Sequence, residues 1–313
     1  GEKKTTRVKY SDMTIRRKTG AANRKVQKFM NLMNMETVHV AWDFLKENGL
    51  KALILKSKHK IQGIDDDYDY AEWWNLTKPS EEELEEQKKK TFGYMPKFSI
   101  VIPVYKTPEK FLDSIVEQTY ANWELCIADG SPAGESVETV LKKYAEKDAR
   151  IRYQVLGENR GISGNTNAAL EMAEGDFIVL ADHDDRLTPN ALFECAKKLN
   201  ENENCDVLYS DEDKLDMDGD ELFDPHFKPD FNPDLLTSVN YICHLFVVKK
   251  ELLDKVGGFR AEYDGAQDYD FIFRCTENAK QICHIPKVLY HWRCHREQAL
   301  CLYSRFPCHY GPL

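Results

Sequence analysis

The hydrophobic pattern changes period near Pro96. Before it, apolar residues recur at helical spacing, at Val26, Phe29, Met30 and Met33 and then at Val38, Ala41, Phe44 and Leu45, with Gly49 as a stop signal. Ser80 opens Ser-Glu-Glu-Glu-Leu-Glu-Glu-Gln-Lys-Lys-Lys, where Glu83 takes the capping-box position and acids precede bases. This predicts a charged connecting helix and a boundary near Tyr94. After Pro96, short apolar runs alternate with amphipathic stretches. Residues 98–103 read as a buried strand, a helix carries Phe111, Ile115 and Val116, and residues 123–128 form a second strand. A helix around 135–147, a strand at 151–155, a helix at 166–173 and a strand at 177–181 follow. Strand, helix, strand predicts a parallel sheet flanked by helices. Ligands of such sheets meet the carboxyl ends of the strands, where Pro103-Val-Tyr105, Asp129-Gly-Ser131 and Asp182-His-Asp-Asp185 all fall.

Composition narrows the class. The 313 residues are 42% hydrophobic and 31% charged, with no apolar run of the roughly 18 residues that cross a bilayer, so a water-soluble chain of about two domains is expected. The nine cysteines are an odd number without a signal-peptide pattern, which fits free thiols in a reducing cytoplasm. Cys283-His284, Cys294-His295 and Cys308-His309 lack the C-x-x-C pairing typical of structural zinc sites. Charge is asymmetric. Residues 1–28 hold ten cations against Glu2 and Asp12, a net +8 that leaves −18 on the rest. A basic arm on an acidic body is unlike a nucleic-acid-binding domain; it suits peripheral contact with an anionic membrane, and a solvated terminus is an equal reading. Asp65-Asp-Asp-Tyr-Asp69 reads as a hydrated linker, and Trp73 and Trp74 as docking residues.

The acidic loop is the most chemically loaded segment. Asp182 and Asp184 are two apart and point the same way in extended backbone, as a hard divalent cation bound to a diphosphate requires; the competing reading is helix capping by Asp185. Gly157-Glu-Asn-Arg-Gly-Ile-Ser-Gly164 lacks both the P-loop ending and Gly-x-Gly-x-x-Gly, and by itself reads as a loop. Asp211 and Asp213 read either as acceptor-facing or as part of a solvated loop, Met217-Asp-Gly-Asp as a hairpin turn, and Phe227-Lys-Pro-Asp-Phe-Asn-Pro-Asp as acceptor wall before a helix from about Leu235.

Phe98-Ser-Ile-Val-Ile-Pro-Val-Tyr, Gln118-Thr-Tyr-Ala-Asn-Trp-Glu-Leu, Asp129-Gly-Ser, Asn159-Arg-Gly-Ile-Ser-Gly-Asn-Thr-Asn-Ala-Ala, Gly175-Asp-Phe-Ile-Val-Leu-Ala-Asp-His-Asp-Asp, Gly257-Gly-Phe and Gly265-Ala-Gln-Asp-Tyr-Asp together resemble the family 2 glycosyltransferases, in that family's order and over about residues 97–296. The resemblance implies an α/β GT-A fold, a Rossmann-like mixed and mostly parallel sheet flanked by helices, here with an N-terminal helical extension. It also implies a nucleoside-diphosphate sugar donor, Mg²⁺ or Mn²⁺, and inversion at the anomeric carbon. Within the family the chain looks closest to bacterial surface-polysaccharide enzymes, including rhamnosyltransferase-like members, with UDP or dTDP donors and a glycan or lipid-linked acceptor. Their setting implies a cytoplasmic location, with peripheral contact at the inner face of the plasma membrane.

Carried over by motif, Pro103, Tyr105 and Asp129 line the nucleotide pocket, with Asp129 facing a uracil or thymine edge. Asn167 takes the family's Arg-Asn position, with Thr166 where Arg is common, so Arg160 becomes the substitute cation toward the diphosphate. Asp182 falls near ribose and metal, and Asp184 at the metal-binding acid, with Asp185 in support. Asp268 inherits the role of catalytic base, while Asp270 reads as the N-cap of the following helix. In Tyr290-His-Trp-Arg-Cys-His295, His295 completes metal or diphosphate binding, with His291 as its competitor. The expected organisation is a basic arm over 1–28, a helical extension and linker over 29–93, the transferase domain over 94–296 and an atypical, truncated or altered tail over 297–313. Two rival classes remain, a sugar nucleotidyltransferase, whose Gly-rich basic opening loop is missing, and a non-catalytic carbohydrate-binding protein on the same fold.

Overall fold

The computed structural model describes residues 70–106 and 110–294. The basic arm, the helical pattern over 26–45, the acidic run 65–69, His295 and the tail lie outside the described residues. The chain divides into two compact units after Lys78. In the first, α1 (Tyr70–Thr77) stacks the buried rings of Tyr70 and Trp73 at 5.5 Å.

The second unit opens with α2 (Glu81–Lys89), capped as the sequence predicts: Glu83 N–H donates to Ser80 Oγ at 3.2 Å and Ser80 N–H to Glu83 Oε2 at 2.7 Å. The chain then builds β1 (Phe98–Val104), α3 (Lys110–Val116), β2 (Trp123–Asp129), α4 (Glu138–Lys147), β3 (Ile151–Val155), α5 (Gly161–Leu170) and β4 (Phe177–Leu180). β5 (Arg186–Leu187), α6 (Ala191–Glu201), β6 (Val207–Leu215), β7 (Leu222–His226), α7 (Pro233–Ser238), β8 (Phe246–Lys249), α8 (Lys250–Val256), α9 (Gln267–Asn278) and β9 (Ile282–Arg293) complete it, with a 3₁₀ turn at Ala261–Tyr263.

All nine strands among the described residues join one mixed sheet in the order β3-β2-β1-β4-β8-β6-β9-β5, with β7 on β6. Strands β1, β2, β3, β4, β6 and β9 run one way and β5, β7 and β8 the other. The first crossovers travel outward from β1 to β3, and the chain then returns to β4 on β1's other side. That reversal opens a crevice at the carboxyl ends of β1 and β4, where ligands of such sheets bind. Both faces of the sheet are covered. Phe98, Ile100 and Ile102 enter one core with Leu125 and Leu192, and Val101 enters the other with Ile178, Val248 and Phe271. Double burial is why these strands read as continuous apolar runs.

Three segments depart from the sequence reading. Helix α5 begins at Gly161 rather than Thr166, so the second half of the presumed loop is its first turn. Helix α7 begins at Pro233, capped by Asn232, whose Oδ1 accepts from Leu235 N–H at 2.9 Å. The larger departure is β6, whose nine residues are all buried although four in a row are charged. Asp211 meets His284 Nε2 at 2.8 Å, Asp213 meets His291 Nδ1 at 2.5 Å, and Glu212 sits 3.2 Å from both Lys214 and Lys228. Burial works to raise the Glu212 pKa, but Lys228, His226 and Lys214 hold it well below the carboxylate range. Asp211 and Asp213 are therefore interior partners of histidines, not acceptor-facing loop residues. The turn after β6 is the predicted hairpin, fastened by Asp216 Oδ1, which accepts from the backbone of Gly219, Asp220 and Glu221.

Near the amino ends of the strands, buried Glu124 receives Lys97 at 2.7 Å, Arg152 at 2.8 Å and Ser99 Oγ at 2.6 Å. Burial opposes its charge, yet these donors leave its pKa below the usual value. The stabilisation is complete above the unfolded-state pKa and is lost as pH falls through the depressed folded value. Glu124→Gln is expected to lower unfolding free energy by about 1–3 kcal/mol at neutral pH and to flatten this acid-dependent loss, read by urea denaturation at two pH values.

Candidate active site

The residues beyond β4 form one wall of the crevice. The Asp182 N–H donates to Tyr290 Oη at 3.0 Å, and Tyr290 Oη donates in turn to Asp185 Oδ2 at 2.5 Å. Asp185 Oδ1 also accepts the Arg293 N–H at 2.7 Å. Asp185 is therefore no helix cap, since α6 starts at Ala191 and this buried carboxylate is aimed instead at the end of β9. Burial first, and then the charges of Asp182 and Asp184, push its pKa well above the carboxylate range, against the pull of Tyr290 and the Arg293 amide.

The segment between α7 and β8 supplies the third group. His244 stacks on the Tyr290 ring at 4.5 Å and meets Trp292 edge-on at 5.8 Å, with Nε2 lying 3.6 Å from Asp182 Oδ2. Its Nδ1 is buried with no hydrogen-bond partner among the described residues. Asp182, Asp185 and His244 each offer a ligand atom, all within 4.8 Å of one another. Two acidic side chains crowded beside an imidazole, with ligand atoms this close together, fit a hard divalent cation such as Mg²⁺ or Mn²⁺. Membership of this cluster differs from the sequence expectation. Asp184 is exposed and outside the trio, while its carbonyl accepts Arg293 Nε at 2.6 Å. A pocket beside the trio is lined by Asp182, Asp185, Arg186 and Tyr290 together with Ile102 and Phe111.

The second wall comes from β1, β2 and α5. Pro103 is buried opposite Ala128, and Tyr105 is exposed at the end of β1, with Lys106 Nζ 5.3 Å from its ring centre. Asp129 is fully buried. Its carboxylate accepts Ser131 N–H at 2.9 Å, Ser136 Oγ–H at 2.6 Å and Val137 N–H at 3.1 Å, so its visible work is to shape its own loop. Arg160 is exposed and leans on Glu158 at 3.3 Å. Both ends of the Asn167 amide are taken by Phe259, whose N–H and C=O lie 2.8 Å away. This clamp explains Gly257-Gly-Phe259, because a Cβ on Gly258 would run into Asn167 Oδ1. Gly258→Ala is expected to lower the melting temperature, by about 1–3 kcal/mol of stability, in a calorimetric scan.

The third wall is the start of α9. Asp268 is half-buried in its first turn, and its Oδ2 accepts Asn240 Nδ2–H at 3.0 Å. Asp270 does not cap the helix as expected. Ala266 is the N-cap and makes no side-chain cap, whereas Asp270 binds Arg260 and Arg274, the latter at 2.9 Å. Burial works to raise its pKa, but the two guanidinium groups hold it below the usual range. His291 is likewise committed to Asp213. Tyr290, His244 and Asn240 are the residues that sequence reasoning missed. Tyr290 opens the closing segment Tyr290–His295 but carries no role in the motif reading; neither His244 nor Asn240 belongs to a periodic run or a spaced motif, and only their bracketing of the short segment Tyr241-Ile-Cys243 before an apolar strand could have marked the loop.

Among the described residues no helix is long and apolar enough to cross a membrane, and all seven described cysteines are free. The sequence pattern of the family described as "Glycosyl transferase family 2" matches residues 99–257. The chain is 44% identical over 204 residues to "Uncharacterized protein y4gI" of Sinorhizobium fredii, covering 63% of this chain and 22% of that protein. It is 35% identical over 229 residues to "O-antigen biosynthesis protein RfbC" of Myxococcus xanthus, covering 72% of this chain and 18% of that one. It thus spans about a fifth of these relatives' length. The crystal structure of S. aureus TarS 1-349 superposes with a TM-score of 0.53 at 24% identity, over 63% of this chain and 60% of that one, and shares its fold. With its mixed sheet and flanking helices of GT-A type, the chain belongs to glycosyl transferase family 2.

Proposed function

We propose that this chain transfers a sugar, with inversion, from a nucleoside-diphosphate donor to a hydroxyl group of a glycan or lipid-linked glycan, in the synthesis of a surface polysaccharide. The observation that carries the reading is the loop between α7 and β8, which brings His244 to Asp182 and Asp185 and, through Asn240, reaches Asp268. A charge-binding cluster and the Asp268 carboxylate at a helix N-terminus thereby border one crevice. The name of RfbC, a relative in O-antigen biosynthesis, supports the polysaccharide setting, and TarS has been crystallised with UDP and with UDP-GlcNAc.

In this reading Asp182, Asp185 and His244 hold Mg²⁺ or Mn²⁺, with Asp184 beside them and His295 contributing from beyond the described residues. The bound cation supplies charge neutralisation for the departing nucleoside diphosphate. Pro103 and Tyr105 border the nucleotide, Asp129 acts through the loop it shapes, and Asn167 through its clamp on the Gly-Gly-Phe turn. Arg160 is free to swing toward phosphate because its exposed pairing with Glu158 is weak. Asp268 accepts the proton of the acceptor hydroxyl as that oxygen bonds to the anomeric carbon and the carbon–phosphate-oxygen bond on the opposite face breaks. The basic arm, by its charge, favours an anionic membrane surface as the place of the acceptor.

A thermal-shift screen of UDP-, dTDP- and GDP-sugars with and without Mn²⁺ tests the donor half. One donor at about 100 times its Kd should add about 2.7 kcal/mol of stability only when Mn²⁺ is present. No shift with any sugar nucleotide would count against the reading.

A further inference from the structure

The segment Asn240–Leu245 is irregular yet nearly dry. Tyr241, Ile242 and Leu245 are 2%, 0% and 1% exposed, so its backbone polar groups need partners inside the protein. Two charged side chains supply them. Lys228, whose side chain is fully buried, donates through Nζ to the carbonyl of Ile242 at 2.6 Å and to that of His244. Glu212, equally buried on β6, accepts the His244 N–H through Oε2 at 3.1 Å and pairs with Lys228 through the same oxygen at 3.2 Å. His244 is thus gripped by the pair on both sides of its Cα, by its own amide and its own carbonyl. The loop's other end is tied separately, since Asn240 Oδ1 accepts the Cys243 N–H at 3.3 Å while its amide nitrogen donates to Asp268.

Burying an ammonium and a carboxylate is a poor way to gain stability, because desolvation offsets most of their attraction and a well-packed apolar pair does as well. What an apolar pair lacks is three directed bonds to a loop backbone. We infer that Glu212 and Lys228 are positioning residues, whose buried ion pair fixes the loop backbone so that the His244 ring meets Asp182 and Asp185. The inference rests on the metal-binding reading above. It assigns a task to two residues that the transfer chemistry does not touch.

The test is Mn²⁺ binding by the full chain, followed as loss of the free-ion signal in electron paramagnetic resonance, so that no turnover is required. Wild type should bind one Mn²⁺ and Asp185→Asn should lose it. Lys228→Met should weaken the affinity by about 10- to 100-fold, the range for groups that orient metal ligands. Glu124→Gln, which disturbs a buried charge cluster at the opposite end of the strands, should destabilise the fold while leaving Mn²⁺ affinity within about twofold, since distant sites act independently. If Lys228→Met does not fold, Glu212→Gln decides, because it keeps an acceptor oxygen and loses the charge that holds Lys228; a loss of about threefold or more supports the inference. Unchanged affinity in a folded Lys228→Met, or in Glu212→Gln where that variant decides, overturns the positioning role and leaves the metal reading intact. If wild type binds no Mn²⁺, or Asp185→Asn binds it as well as wild type, the metal reading itself fails and the positioning role falls with it.

Discussion

Replacing Asp268 by Asn is expected to lower kcat by about 10²–10⁴ while donor affinity changes little, since general-base catalysis contributes in that range and acts on the acceptor, not the donor. Asparagine preserves the shape of the side chain and can still bond Asn240 through its oxygen, so the fold should survive. It cannot take the proton of an attacking hydroxyl. Steady-state kinetics with donor and acceptor varied in turn will separate the effects. Near-normal turnover would remove Asp268 from the chemistry and leave it as an ordinary first-turn acid of α9.

Asp185→Asn should be the more disabling of the changes in the acidic loop. The carboxylate is buried, is oriented by Tyr290 and the Arg293 amide, and faces Asp182 and His244. A carboxamide there cannot give up a proton to a cation as the carboxyl group can, so the change should abolish measurable Mn²⁺ binding and reduce kcat by about 10²–10⁴, the equivalent of several kcal/mol of lost charge stabilisation in the transition state. Asp184→Asn, at an exposed position outside the trio, should have the smaller effect in both measurements. The reverse order would return the metal role to Asp184.

These two aspartates mark the boundary of what the sequence made legible. The first four strands lay within one residue of their predicted ends: β1, β2 and β4 are almost wholly buried and therefore written as apolar runs, whereas β3, at the edge of the sheet, is only partly buried and mixes apolar with polar residues. Helix α2 was equally plain, because its capping box is a local interaction between Ser80 and Glu83. β6 was opaque for the opposite reason. Its acids are partnered by His284, His291 and Lys228, which lie 16 to 78 residues away and leave no local trace. His244 was missed in the same way, and Asp185 was read only as a supporting acid or a helix cap. Local pattern offered Asp185 a helix to cap, and the ring that orients it, Tyr290, is 105 residues downstream. Asp268 was found through a motif, whereas its hydrogen-bond partner Asn240 became visible only when the loop was seen to cross the site.

The central claim, inverting transfer from a sugar nucleotide, is met most directly by one incubation of the full chain with the donor selected by thermal shift, Mn²⁺ and a glycan or lipid-linked acceptor, followed by proton NMR. Predicted is the release of nucleoside diphosphate together with a new glycosidic bond whose anomeric configuration is opposite to that of the donor. Release of pyrophosphate, retention of the donor's configuration, or binding of donor without any turnover would contradict it.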